Sequence, residues 1–304
     1  MELCRDCPRL CGARRPESGD GVPDIPGFCA SPLRPVIARA GLHFWEEPVI
    51  SGTRGSGTVF FSGCNLRCVF CQNFEISTLR RGTEISVERL KEIYRELVGQ
   101  GAHNINLVTP THYLRAVLAS LDETLHVPVV YNCGGYESVE ALRSLEGKIQ
   151  IYMPDLKYAD DALAMRYSCA PRYFEVATRA IDEMFRQTGP CEVAPDGLLR
   201  RGVLIRHLVL PGHLADSIRI IRYVKERFRP GDVLFSLMRQ YVPCGRAAHG
   251  EFPEIGRKLS YREIKRIENA LFSSGIETGF LQTSGAATKD FIPCFDGTGV
   301  SRGK

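Results

Sequence analysis

Cys64, Cys68 and Cys71 fall within eight residues of one another, in the stretch FFSGCNLRCVFCQN. Their spacing, C-x3-C-x2-C, differs from that of a four-thiol zinc site, which usually pairs two C-x2-C units. Three thiolates do suit a cubic [4Fe–4S] cluster: they hold three corners and leave the fourth iron for a substrate or cofactor to chelate. The apolar, β-branched run TVFFSG, from Thr58, precedes the triplet and ends at Gly63, where the backbone turns. The triplet therefore stands just past a predicted strand. Three buried thiols that merely fall together are the bland alternative.

A second set of thiols, Cys4, Cys7, Cys11 and Cys29, lies in a segment rich in Cys, Arg, Pro and Gly, with neither helical nor strand period. Such a segment needs a staple. Four thiolates fill a tetrahedral zinc site and would contribute folding energy; they would equally hold a fully ligated iron–sulfur cluster. The spacing leaves open zinc, a cluster or four unligated cysteines. Cys133, Cys169, Cys191, Cys244 and Cys294 stand singly, and most of them read as small buried hydrophobes.

The elements that must position these residues alternate. After the first strand, SVERLKEIYRELVGQGA opens on Ser86 and carries Val87, Leu90, Ile93, Tyr94 and Leu97 on one face. NINLVT, VPVVYNCG, IQIYMPDLK, VLIRHLVLPG and VLFSLM read as further strands. Helices are expected over about 111–121, from about Ser138, over most of 160–187, over about 214–228 and from about Leu259. ETGFLQ supplies a short seventh strand. Strands alternating with helices imply parallel pairing through right-handed crossovers, in an open doubly wound sheet or a partly closed barrel. In either, chemistry lies outside the carboxyl ends of the strands.

The chain has 304 residues, 44% hydrophobic and 24% charged, enough for a full-sized core, and a net charge of +4. Its charges are interspersed, so no nucleic-acid stripe or polybasic membrane anchor is expected. MELCRDCPRLCGARR lacks the apolar core of a signal peptide, and no run approaches the ~20 apolar residues of a membrane span. The expected compartment is the cytosol, where clustered cysteines more often bind metal than form disulfides.

C-x3-C-x2-C with an aromatic, Phe70, just before the third cysteine resembles the signature of the radical S-adenosylmethionine superfamily. The wider stretch RGSGTVFFSGCNLRCVFCQN, from Arg54, looks like the subgroup around the pyruvate formate-lyase activating enzyme. The resemblance implies a partial (β/α)6 barrel of parallel strands over residues 50–285, with a small irregular Cys-rich N-terminal segment and linker (1–49) and a tail (286–304). It implies that Cys64, Cys68 and Cys71 ligate the cluster and that S-adenosylmethionine chelates the open iron. One electron, from a reduced flavodoxin- or ferredoxin-like donor, would then cleave the sulfonium to a 5′-deoxyadenosyl radical that abstracts hydrogen from a substrate.

The resemblance places Phe70, Gln72, Thr109, Asp155 and Lys157 around the cofactor. Asp155 and Lys157, in PDLK, match an Asp-Leu-Lys serving the ribose hydroxyls and the methionine carboxylate; a mutual salt bridge is the alternative. YNCGGY, from Tyr131, is similar to a turn that shapes the cavity floor, and VLPG and Gln240-Tyr241 to the turns after the fifth and sixth strands. Two positions depart. Where the family carries an acid for the methionine amino group, this chain reads LVTPTHY, with Thr109, Thr111 and His112, and Val242 stands in place of a histidine.

Trp45 reads as an anchor for the appendage. Glu46 and Glu47 beside it would suit a basic substrate, but nothing else in the sequence argues for one. Arg39, Arg54 and Arg67 lie near the triplet in sequence, either tuning the cluster or facing solvent. The functional expectation is a radical enzyme acting on an unidentified small molecule or protein, an activase that abstracts hydrogen from a glycine of a partner included. A non-catalytic iron–sulfur carrier or redox sensor is the alternative, opposed by the missing fourth ligand; a zinc-stabilised binding module ranks last.

Overall fold

The computed structural model describes residues 3–15, 27–282 and 293–302. Strand β1 (Val36–His43) is followed by β2 (Ser56–Phe61), β3 (Thr83–Glu84), β4 (Ile105–Val108), β5 (Val129–Cys133) and β6 (Ile151–Pro154). Then come β7 (Glu192–Val193), β8 (Leu199–Leu208), β9 (Val233–Met238) and β10 (Gly279–Leu281). The sheet order is β10-β9-β8-β6-β5-β4-β2-β1-β3, with β7 paired to β8 alone. From β2 to β10 the strands on this path pair in parallel, and no pairing joins β10 to β3, so the sheet is open. This is the expected α/β architecture of a partial barrel.

The helical expectations hold with local refinements. Ser86 caps the helix Val87–Gly99 by accepting from the Arg89 backbone N–H, and Ser138 caps Val139–Ser144 in the same way. The run over 160–187 forms two helices, Asp161–Ser168 and Tyr173–Thr188, because Cys169 and Arg172 turn into the left-handed region between them. The strand β1 was not expected. It lies antiparallel against β2, with Gly41 opposite Thr58, so part of the stretch 1–49 belongs to the sheet. The expected start of the tail at 286 lies outside the described residues.

Strand alternation divides the sheet into two faces. Ile105, Leu107, Val129, Tyr131, Tyr152, Val203, Ile205, Phe235 and Leu237 point toward the helices and join the main core. On the other face Val130, Ile151, Met153, Leu204 and Leu234 pack with Ile50 and Leu199 in a smaller apolar cluster. One step further along these inner rows stand Asn132, Asp155, Arg206 and Ser236. The inner face is thus apolar toward the strand starts and polar toward their carboxyl ends. Among the described residues no helix is long and apolar enough to cross a membrane.

Candidate active site

A cavity of about 840 Å³ opens at the carboxyl ends of the parallel strands. It brings together all the residues singled out from the sequence for the cofactor: Cys64, Cys68, Cys71, Phe70, Gln72, Thr109, Asp155 and Lys157. The loop after β2 carries the three thiols, and each sulfur is met by a donor. The Leu66 backbone N–H reaches Cys64 Sγ at 3.3 Å, the Ser168 hydroxyl Cys68 Sγ at 2.9 Å, and the Ser77 hydroxyl Cys71 Sγ at 3.3 Å. Burial pushes all three thiols up, Cys71 to about 11. The Lys157 charge opposes that shift at each of them. A metal bound there would hold them as thiolates.

The donor set fits an iron–sulfur cluster better than a single ion. Among the described residues no three His, Cys, Asp or Glu side chains converge on one ion. Thiolates on separate irons of a cubic cluster stand farther apart than four on one zinc.

Opposite the triplet, Asp155 accepts from Lys157 Nζ at 2.6 Å and from Arg206 Nε at 3.0 Å. Burial works against the Asp155 charge, but the two cations outweigh it and hold the carboxyl below its ordinary value. The same burial disfavours the Lys157 ammonium, and Asp155 and the Cys68 thiol outweigh that in turn. Arg206 also donates to Glu46 Oε2 at 3.3 Å and to Asn132 Oδ1 at 2.7 Å. Glu46 Oε1 takes the side-chain amides of Asn106 and Asn132.

Glu47 is 2% exposed, and its Oε1 accepts from the Ser236 hydroxyl and the Gln282 amide, both at 2.7 Å. Its Oε2 is buried without a partner, and burial raises its pKa. Three carboxylates, Glu46, Glu47 and Asp155, therefore share this end of the cavity with two cations, Arg206 and Lys157.

Thr109, at the end of β4, lines the cavity with φ of 60°, an uncommon conformation for a β-branched residue. His112 and Thr111 do not line it. The His112 ring packs behind the triplet, its Nε2 2.7 Å from the Ser62 carbonyl oxygen, and burial lowers its pKa to about 3. The Thr111 hydroxyl donates to buried Glu137 at 2.8 Å. Gln240 borders the cavity while Tyr241 is buried beneath Phe70, their rings 6.1 Å apart. Trp45 borders the cavity too, 62% exposed. Arg67 leaves the triplet, its guanidinium 4.4 Å over the Phe28 ring, and Arg39 pairs with Asp296.

The sequence did not flag Arg206, Ser236 or Gln282, whereas Asn132 lies in YNCGGY, the turn expected to shape the cavity floor, and does line the cavity. One signal was there: a lone arginine in the apolar run VLIRHLVL, on the same strand face as Leu204 and Leu208.

Residues 58–224, more than half of the chain, match the model of the Radical SAM superfamily. The chain is 31% identical over 237 residues to the uncharacterized protein MJ0674 of Methanocaldococcus jannaschii, covering 74% of this chain and 63% of that relative. It is also similar to Streptococcus suis SuiB, solved bound to S-adenosylmethionine, at 12% identity and TM-score 0.48, covering 72% of this chain and 48% of SuiB. A domain of pyruvate-formate lyase-activating enzyme from Bacteroides vulgatus aligns at 12% identity and TM-score 0.37, covering 65% of this chain and 91% of that domain. The chain thus spans less than two thirds of MJ0674 and about half of SuiB. Enzymes of the matched superfamily use a [4Fe–4S] cluster and S-adenosylmethionine, and with its triplet at the head of the matched span this chain belongs to the radical SAM superfamily.

Proposed function

We propose that Cys64, Cys68 and Cys71 ligate three irons of a [4Fe–4S] cluster, and that the cavity beside them takes S-adenosylmethionine and the group it acts on. One observation carries this reading: three half-buried sulfurs from one loop, each met by a hydrogen-bond donor, face a polar cavity from a single wall. The bound pair supplies reductive cleavage of the sulfonium and, through it, hydrogen-atom abstraction.

The protein's own residues hold and shield. Lys157 presents an ammonium to a carboxylate, Asp155 a carboxylate to a diol, and Thr109 its strained turn to the amino end of the cofactor. Phe70 and Gln72 cover it from the triplet loop. Phe60, Ile76, Leu208 and Leu281 give the cavity apolar walls that exclude water from a reactive species. The polar end, with Glu46, Glu47 and Arg206, faces the substrate.

The absence of a fourth protein thiol at the triplet favours an enzyme over a closed electron carrier. The electron would come from a reduced flavodoxin- or ferredoxin-like donor. Abstraction from a glycine of a partner polypeptide, the activase role, is one substrate option within this reading.

The test is anaerobic reconstitution with iron and sulfide, reduction, addition of S-adenosylmethionine and chromatographic assay of 5′-deoxyadenosine, beside Cys68→Ala. Nucleoside formed by the parent and not by the variant supports the reading. A parent that holds a reducible cluster and forms none, with candidate substrates present, sinks it.

A further inference from the structure

Cys4, Cys7, Cys11 and Cys29 take no part in the cavity, yet the structure gathers them against the back of the triplet loop. None of the chain's cysteines forms a disulfide. Among its described residues the segment carrying these four has no helix or strand, so it has no regular backbone ladder to hold it. Two of its turns close around the thiols: the Leu10 N–H donates to the Cys7 carbonyl at 3.1 Å, and the Ala30 N–H to Gly27 at 2.9 Å. Leu10 and Ala30, next to Cys11 and Cys29, both take positive φ, at 43° and 49°. Non-glycine residues keep that conformation only where their surroundings over-determine it.

Two of the sulfurs, those of Cys4 and Cys7, have backbone amides beside them as in the triplet. The Asp6 backbone N–H is turned onto Cys4 Sγ and that of Arg9 onto Cys7 Sγ, in each case from two residues ahead. The triplet repeats this offset: Leu66 N–H meets Cys64 and Asn73 N–H meets Cys71. An amide aimed at a sulfur stabilises the thiolate that ligates a metal. Arg15 Nη1 stands 3.9 Å from Cys4 Sγ and adds positive charge. Cys11 and Cys29 approach the same bare Cα: a Cβ on Gly27 would lie 3.0 Å from one sulfur and 4.0 Å from the other.

The set is also fastened to the triplet. Arg9 Nε donates to the Asn65 carbonyl at 2.9 Å, and its guanidinium lies 3.6 Å over the Phe28 ring, which Arg67 also covers. The Cys29 carbonyl lies 3.4 Å from where a Cβ on Gly63 would stand, one residue before Cys64.

We propose that Cys4, Cys7, Cys11 and Cys29 form a second metal centre, ligated by four thiolates and set directly behind the triplet. Its chemistry is that of a thiophilic metal, as an iron–sulfur cluster or as zinc.

The experiment removes the first site to expose the second. The full chain with Cys64→Ala, Cys68→Ala and Cys71→Ala together is purified anaerobically, reconstituted with iron and sulfide or loaded with zinc, and analysed for metal. About one centre per chain is expected, lost when Cys7→Ser and Cys29→Ser are added. Iron with equimolar sulfide identifies a cluster, and metal without sulfide identifies zinc; both support the centre. No metal above background in the triplet-free chain overturns it, as does metal that survives the two serines.

Alkylation of the unaltered protein is independent of variant folding. Cys11 is exposed, like Cys169 and Cys294. In the metal-loaded chain Cys11 should react at least about tenfold more slowly than Cys169, because a ligating thiolate is not free to attack. Equal rates would overturn the centre.

Discussion

Arg206 on β8 and Asp155 at the end of β6 are joined across neighbouring strands by a bond of 3.0 Å, and Asp155 holds Lys157 at the same time. One carboxylate thus bonds two buried cations, and Lys157 has no other carboxylate bonded to it among the described residues, whereas Arg206 also meets Glu46. Breaking a buried pair costs more than the pair contributes, because the remaining charge is left uncompensated. Asp155→Asn should lower the stability of the cofactor-free chain by about 3–5 kcal/mol. Because the folded Asp155 carboxyl is held below its ordinary value, its contribution is complete above about pH 4 and is lost as pH falls through the folded value. Urea unfolding at pH 7 and at pH 3 checks both parts. A loss as large at pH 3 as at pH 7 would refute the electrostatic account.

Glu137 runs the other way. It is 2% exposed, accepts from Thr111 at 2.8 Å and Tyr131 at 3.0 Å, and meets no cation among the described residues. Burial pushes its pKa up to about 7 despite those hydrogen bonds. The folded chain therefore binds this proton more tightly than the unfolded chain. Stability falls as pH rises from about 4.3 to about 7 and the penalty stays constant above that. Glu137→Gln should stabilise the chain at pH 8 by up to about 3 kcal/mol and leave it nearly unchanged near pH 4. Thermal unfolding across this range decides; a pH-independent difference between the two proteins would exclude the buried proton as its cause.

Most of the fold was legible because its parallel strands are apolar runs bounded by glycines and helix caps such as Ser86 and Ser138, which are local signals. The strand β1 was not legible. In VIARAGLH the alternation is interrupted by alanine and glycine, and the strand exists through its antiparallel register with β2, which is not local information. The cofactor candidates could be named because motifs such as PDLK, at the strand ends, resemble those of the superfamily. The polar layer that completes the site could not. Arg206 and Ser236 lie within largely apolar runs, and only the order of β5, β6, β8 and β9 in the sheet shows that Arg206 joins Asn132 at the cavity while Ser236 supports Glu47 behind it. Glu46 and Glu47 were visible, but their role depends on Arg206, Ser236 and Gln282, which are distant in sequence.

Ser168 tests how the triplet is tuned. Its hydroxyl lies 2.9 Å from Cys68 Sγ and 2.7 Å from the Tyr158 hydroxyl, so Tyr158 fixes its direction. A hydrogen bond to a ligating sulfur withdraws electron density and favours the reduced cluster. Ser168→Ala should lower the reduction potential of the reconstituted cluster without removing iron, and Tyr158→Phe should lower it by less. A redox titration followed by electron paramagnetic resonance measures this. An unchanged potential in Ser168→Ala would show that the contact does not bear on the cluster.

Gly63 decides whether the N-terminal segment and the triplet loop stay in register. It takes φ of 84°, in the left-handed region, and a Cβ there would collide with Ser31 Oγ and stand 2.9 Å from His112 Nε2. Gly63→Ala therefore meets two separate penalties: a backbone conformation that an L side chain adopts reluctantly, and a contact that Ser31 must yield. Together they should cost about 2–3 kcal/mol. Adding Ser31→Gly removes the collision and leaves the backbone strain, so the double variant should recover part of the loss. Urea unfolding of the four proteins of this cycle separates the two costs. Purely additive effects would mean that the segment gives way without strain and is not packed firmly against the loop that carries Cys64.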